Sequence, residues 1–274
     1  MNRLRSSIPY VLLILLTLPM LIGYFWLIES SLSVRTQGLT MEGFTTQNWS
    51  FLVEPIRSRQ SIWRVLLSTL MLAVPLGLLD ATVSSLAGYA LSRLKFPGRR
   101  MFLSFTIILH AFPSATLLIA IFFVLRFLKL YDTIIGVVLV SVSLSLPLGI
   151  WLMKGFFDNV SWDIEMAALI DGCSRIRAWW SVILPIVRPG LAALLVFSFL
   201  GGWGAYIIPY TFLVTASIQP ISLYLSSLTG DYALVNYGTV TAVALFQLTP
   251  VVIFYFFTQK YLLNLYSGGM KGGA

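Results

Sequence analysis

The sequence predicts an all-α membrane protein with six transmembrane helices. Three observations carry that prediction. Hydrophobic residues fill 58% of the 274 positions and charged residues only 10%, against roughly 25% charged in a soluble domain. The mean hydropathy is +0.89, so too few charges remain to clothe a water-soluble globule of this size. Six stretches reach the ~20 mostly apolar residues that a bilayer core requires. Together these exclude a cytosolic enzyme, a disordered chain and a fibrous protein. One cysteine, Cys173, leaves no disulfide framework, and one histidine, His110, leaves no cluster for a metal. The net charge of +8 reads as membrane topology rather than nucleic-acid binding, because basic residues gather on the cytoplasmic side.

The first span lies near 8–28, after Arg3 and Arg5. Its apolar run is too long for a signal peptide, and Gly23-Tyr-Phe-Trp26 is too bulky for a cleavage site. Residues 1–30 therefore read as a retained anchor, and 31–61 as an extracytoplasmic loop. The second span, near 63–91, is long enough to tilt or project. The basic loop Arg93-Leu-Lys-Phe-Pro-Gly-Arg-Arg100 follows it. The third span covers 101–125, with His110 close to Phe112 and Pro113. A helix kinked there lines a cavity, or His110 packs on a backbone partner. The fourth span is near 133–153, the fifth 186–209 and the sixth 238–262. The transmembrane domain is thus 62–262, and 263–274 a cytoplasmic tail. Six crossings put both termini on one side. With a cytoplasmic N-terminus, Lys and Arg divide 12 inside to 6 outside, which favours that orientation in the cell membrane.

The inside-facing stretch 154–185 is too polar and too long for a simple connector. It predicts two short helices within a loop at 158–185. Ser161 caps the first, with Asp163 and Glu165 in its positive first turn. Trp162, Met166, Leu169 and Ile170 form one apolar stripe. Gly172 suits a left-handed position at the helix end, and Ser174 caps the next turn. Pro185 and Pro189 bracket the start of span five, where proline loses no hydrogen bond. Such a segment lies on lipid, packs on its own bundle, or docks a soluble partner.

The run Ile164-Glu-Met-Ala-Ala-Leu-Ile-Asp-Gly-Cys-Ser-Arg175, with Ile183-Leu-Pro185 and Pro189-Gly-Leu191 after it, resembles the Glu-Ala-Ala…Gly…Leu-Pro loop of ABC importer permeases. The Ala90-Leu-Ser-Arg-Leu-Lys-Phe-Pro-Gly-Arg99 run and the Gly-Gly-Met-Lys-Gly tail at 268–272 extend the likeness. Nearly the whole chain is similar to the six-span permeases of maltose-type carbohydrate importers, with the type I importer fold. The resemblance implies a permease subunit forming half of a sugar path. It implies a second permease as heterodimer partner, two copies of a cytoplasmic ABC ATPase, and an extracytoplasmic solute-binding protein. Glu165, Met166, Ala167, Ala168, Asp171, Gly172 and Arg175 would then form the ATPase-coupling segment. One departure stands out: the family's glutamate directly precedes the two alanines, where this chain has Met166. Glu165 sits one residue earlier, about 100° round the helix.

No G-x-x-x-x-G-K-[ST] loop occurs. The chain is thus expected to bind no cofactor and catalyse nothing, ATP and Mg being used by the partner ATPase. Candidates for the substrate path are Asp80, His110, Trp203, Tyr206 and Tyr210. Asp80 is the one acid deep in a span: a substrate or proton contact, or a partner for a neighbouring hydroxyl or basic group. Trp203, Tyr206 and Tyr210 share a helical face at i, i+3 and i+7. They are either a sugar-stacking surface or an interfacial aromatic belt. Where sugar permeases often read Trp-Asn-Glu-Phe, this chain has Trp203-Gly-Ala-Tyr206. No Lys or Arg falls deep in a span, which favours a neutral solute over a phosphate-bearing one such as glycerol phosphate. An ion-coupled secondary transporter using Asp80 is the alternative of another class.

Overall fold

Apolar segments become helices here because a bilayer leaves each backbone N–H and C=O to be satisfied within the chain. The computed structural model describes residues 2–37, 40–56, 59–215, 218–230 and 235–268. The tail motif beyond 268, and Asp231 and Tyr232 of the last long loop, lie outside the described residues. Among the described residues, four helices are long and apolar enough to cross a membrane, or up to six spans if each of two bent helix pairs counts as one. The chain divides into two units: Met1–Arg64 with Tyr224–Val252, and Val65–Leu223 with Ile253–Ala274.

The first unit holds α1 (Asn2–Ser31), a hairpin of β1 (Ser33–Gln37) and β2 (Thr40–Phe44), and a 3-10 turn at Gln47–Leu52. The strands are antiparallel, with Arg35 opposite Glu42. Between 31 and 61 the described residues thus include a hairpin and a helical turn. Buried Asn48 ties them together, its amide donating to the Ser31 (3.1 Å) and Ser33 (2.8 Å) carbonyls. That amide lies so close to Gly238 that a Cβ there would come within 2.4 Å of it.

The second unit takes most of α2 (Ile62–Arg93). Then come α3 (Arg99–Ala111), α4 (Ser114–Phe127), α5 (Ile134–Asp158), α6 (Trp162–Ile170) and α7 (Arg175–Ala178). A π turn at Trp179–Ile183 leads into α8 (Leu184–Ile186), α9 (Arg188–Trp203) and α10 (Ile207–Phe212). Two further helices, α11 (Ile221–Leu228) and α12 (Tyr237–Gly268), run from one unit into the other. Helices α2, α5 and α9 approach closely where side chains are absent. A Cβ on Gly88 would lie 2.8 Å from the Lys154 nitrogen, and one on Gly202 2.8 Å from the Ala73 Cα. Small residues of this kind let membrane helices pack backbone to backbone.

Two expected spans are not single rods. The third breaks into α3 and α4 at an angle of 106°. Pro113 forces Phe112 into extended backbone (φ −72°, ψ 129°), as the residue before proline avoids the helical region. The fifth stops at Trp203, and the chain resumes as α10 only at Ile207. The glycines at 201, 202 and 204 weaken helix propagation there. An 80° bend at the other end of α9 separates it from the 175–186 segment.

Between α4 and α5, Asp132 sits at φ +60°, a left-handed conformation that Asp tolerates better than most side chains. Its carboxylate accepts from the Val214 N–H (2.8 Å), the Thr215 N–H (3.0 Å) and the Thr215 hydroxyl. The Thr215 hydroxyl, followed by its N–H, holds the Asp132 carboxyl below its ordinary value. A depressed folded value means the tie is complete above the unfolded pKa and is lost as pH falls through the folded one. Asp132→Asn is accordingly expected to lose less thermal stability than the wild type below about pH 4. Melting curves of the two proteins between neutral and acid pH check this, and equal acid-side losses would refute it.

Candidate functional site

The α5–α9 connection builds one candidate surface. Helix α5 runs past the expected 153 to Asp158, whose carboxylate accepts from Lys154 (2.5 Å) and Ser92 (2.6 Å). Ser161 caps α6 by accepting from the Asp163 N–H at 3.3 Å, and Ser174 caps α7 from the Arg177 N–H at 3.3 Å. Gly172 has φ +86°, and the turn closes with Gly172 N–H to Leu169 O (3.1 Å) and Cys173 N–H to Ala168 O (3.0 Å).

Of the three readings left open for the apolar stripe, burial in the bundle is not the one its ends adopt. Ile170 is 84% exposed, and Trp162 is also exposed. Glu165 and Ala168 are the buried positions. The cause is a polar cluster that outweighs apolar periodicity. Glu165 is 0% exposed and accepts from the Tyr89 hydroxyl at 2.7 Å. Its second oxygen is 3.2 Å from Arg93 Nε, a charge contact without hydrogen-bond alignment. Arg93 Nη2 donates to the Phe157 (2.9 Å) and Val160 (2.6 Å) carbonyls, and the guanidinium lies 5.3 Å from the Trp162 ring. A buried charge requires such partners. The one-residue offset of Glu165 thus turns the carboxylate into the bundle. Ala167, Asp171, Gly172 and Arg175 face outward, and Met166 is half-buried.

A second candidate is a cavity of about 380 Å³ lined by Asp80, His110, Ser141, Ser145 and Ser198 among apolar neighbours such as Phe197 and Leu148. Asp80 is 1% exposed. It accepts from Ser84 of its own helix (3.0 Å) and Ser198 of α9 (2.5 Å), so its contacts are those of a hydroxyl partner. Gly149 of α5 makes room: a Cβ there would lie 2.3 Å from the Ser84 Oγ and 2.9 Å from Asp80 Oδ1.

The aromatic trio is not assembled as one helical face. Trp203 ends α9, buried and stacked on Phe199 at 5.9 Å. Tyr206 and Tyr210 lie beyond the break and stack on each other at 5.4 Å, largely exposed. None of the three rings lines the cavity that Asp80 and His110 share. Among the described residues, no three His, Cys, Asp or Glu side chains gather to hold a metal. Nothing local in the sequence marks Tyr89, Ser198 or Gly149 as site residues. Arg93 stands out only as the first cation of the basic loop, at the end of an apolar run.

Residues 73–264 match the family described as binding-protein-dependent transport system inner membrane component. The chain belongs to that family. This permease is 31% identical to the maltodextrin transport system permease protein of Bacillus subtilis, over 75% of its own length and 74% of that chain. It is 28% identical to the diacetylchitobiose uptake system permease protein of Streptomyces coelicolor, over 98% of its own length and 89% of that chain. Its fold matches a chain in the crystal structure of a bacterial ABC transporter involved in importing the acidic polysaccharide alginate. There the TM-score is 0.79 at 22% identity, covering 95% of this chain and 97% of the other. The permease is thus a multi-pass membrane protein with the type I permease fold.

Proposed function

We propose that this permease forms half of the translocation path of an ATP-driven importer for a carbohydrate delivered by a solute-binding protein. The observation that carries the reading is the outward α6–α7 surface of Ala167, Asp171, Gly172 and Arg175, raised on a segment of the family's coupling loop. Both termini and this surface lie on the cytoplasmic side, as the Lys and Arg distribution favours. The surface docks in an ABC ATPase, two copies of which serve this subunit and a second, different permease. The chain itself hydrolyses nothing and holds no cofactor, ATP and Mg being bound by the partner. Solute passes the cavity of Asp80 and His110. Among the described residues, none that lines that cavity is Lys or Arg, which favours a neutral polyhydroxyl solute over a phosphate-bearing one. The sugar relatives support the same solute class.

ATP-driven access changes need an affinity difference between two states of the bundle. The docking surface supplies the route by which nucleotide favours one of them. Affinity purification of the permease from its own membranes tests the reading. An ABC ATPase, a second permease and ATP-dependent uptake of labelled maltodextrin or chitobiose are expected. Uptake that persists without ATP and collapses with the proton gradient would instead establish the ion-coupled alternative.

A further inference from the structure

We propose that Tyr89, Arg93 and Glu165 are positioning residues that lock the docking helix α6 to the end of α2, and that Glu165 makes no contact with the ATPase. This rests on the docking reading above and names the route by which its motion enters the bundle. Glu165 is fully buried, so a soluble partner cannot reach it while α6 stays seated. Both of its oxygens point at α2, one to Tyr89 and one to Arg93. Those two residues are four apart and therefore share one face of that helix.

Arg93 then joins three elements through one side chain. It meets Glu165 of α6, the carbonyl of Phe157 near the end of α5, and the carbonyl of Val160 in the turn that leads to α6. Replacing a buried ion pair with apolar side chains is often neutral for stability. What the cluster supplies here is direction. Apolar contacts allow packed helices to slide in small shears, whereas the hydrogen bond from the Tyr89 hydroxyl to the Glu165 carboxylate, with the Arg93 charge beside it, holds one geometry. A push on the exposed side of α6 is therefore delivered to α2 as rotation and translation of a fixed body. Without the lock, α6 shifts on its apolar bed and α2 stays behind.

The test uses the assembled transporter in liposomes with labelled maltodextrin, or whichever sugar the purified complex imports. Glu165→Gln and Tyr89→Phe are each expected to retain ATPase subunits at the wild-type ratio. Both are expected to raise the ATP hydrolysed per sugar moved by about fivefold to tenfold, the scale of coupling changes made along a transmission route. A merely structural role lowers the yield of protein and leaves that ratio unchanged. Should Glu165→Gln fail to accumulate, Tyr89→Phe decides, because its ring keeps the edge contact with Phe157 at 5.7 Å. Ala167→Arg, measured alongside, tests the docking itself. If it disturbs neither ATPase retention nor uptake, the docking reading falls. If it disturbs them while Glu165→Gln and Tyr89→Phe keep the wild-type ratio, the lock alone is refuted.

Discussion

Ala167→Arg is expected to reduce ATP-driven uptake by at least about tenfold while leaving the permease folded in the membrane. Ala167 is exposed on α6, and arginine costs a helix only a few tenths of a kcal/mol relative to alanine. The helix is independently fixed by its Ser161 cap and by buried Glu165. The added side chain therefore acts on whatever sits against α6. Overpacking a close-fitted contact costs about 1–3 kcal/mol, and about 1.4 kcal/mol is tenfold in occupancy. Gly172→Arg would disturb the same face less cleanly. At φ +86° any side chain adds backbone strain of about 1–2 kcal/mol, so lost uptake would mix a bent turn with a blocked surface. Membrane level, ATPase retention and uptake measured together check the expectation. Wild-type uptake by Ala167→Arg would remove α6 from the coupling route.

Glu165→Ala is expected to be the most destabilising single change in this region, by about 3–5 kcal/mol. It leaves the Arg93 cation buried beside an empty space, and stranding one member of a buried pair costs that much. Two carbonyls and the Trp162 ring remain for Arg93, but none carries a full negative charge. Arg93→Met combined with Glu165→Leu should recover part of the loss, since neither charge is then left alone, although the Tyr89 hydroxyl and the Phe157 and Val160 carbonyls lose their partners. Thermal melting of the purified single and double variants measures this coupling. The double variant is also expected to stay uncoupled in transport, because its contacts lack direction. Stability and transport would then part company in one protein. A single variant as stable as the wild type would show that water reaches Arg93.

What the sequence revealed follows the range of the forces involved. Helices were legible because membrane insertion depends on local composition over some twenty residues. The α6 end was legible because glycine is the residue suited to a left-handed turn, and Gly172 adopts it. The break near Pro113 was legible as a kink but not as a 106° turn, since its angle depends on what the two halves pack against. The 33–44 hairpin was hidden by its brevity and mixed polarity. The Tyr89–Glu165 bond was invisible for another reason: its partners are 76 positions apart, and no local pattern pairs them. Which face of α6 turns inward was open on the same account. Hydrophobic periodicity marks the stripe that holds Ile170 but not what covers it, and a long-range ionic cluster is what buries Glu165.

The length of α9 has a consequence for the surrounding lipid. Its 16 residues rise only about 24 Å, while a hydrocarbon core measures about 30 Å. The 175–186 arm of the same bent pair, turned 80° from it, adds little to that rise, so lipid beside this segment would compress or its flanking residues reach outward, each at a fraction of a kcal/mol per Å of mismatch. Bilayer thickness therefore bears on this helix more than on its longer companions, and Ser198, which grips Asp80, lies on it. Acyl-chain length is in this way a physical variable that acts on the polar clasp from outside the protein.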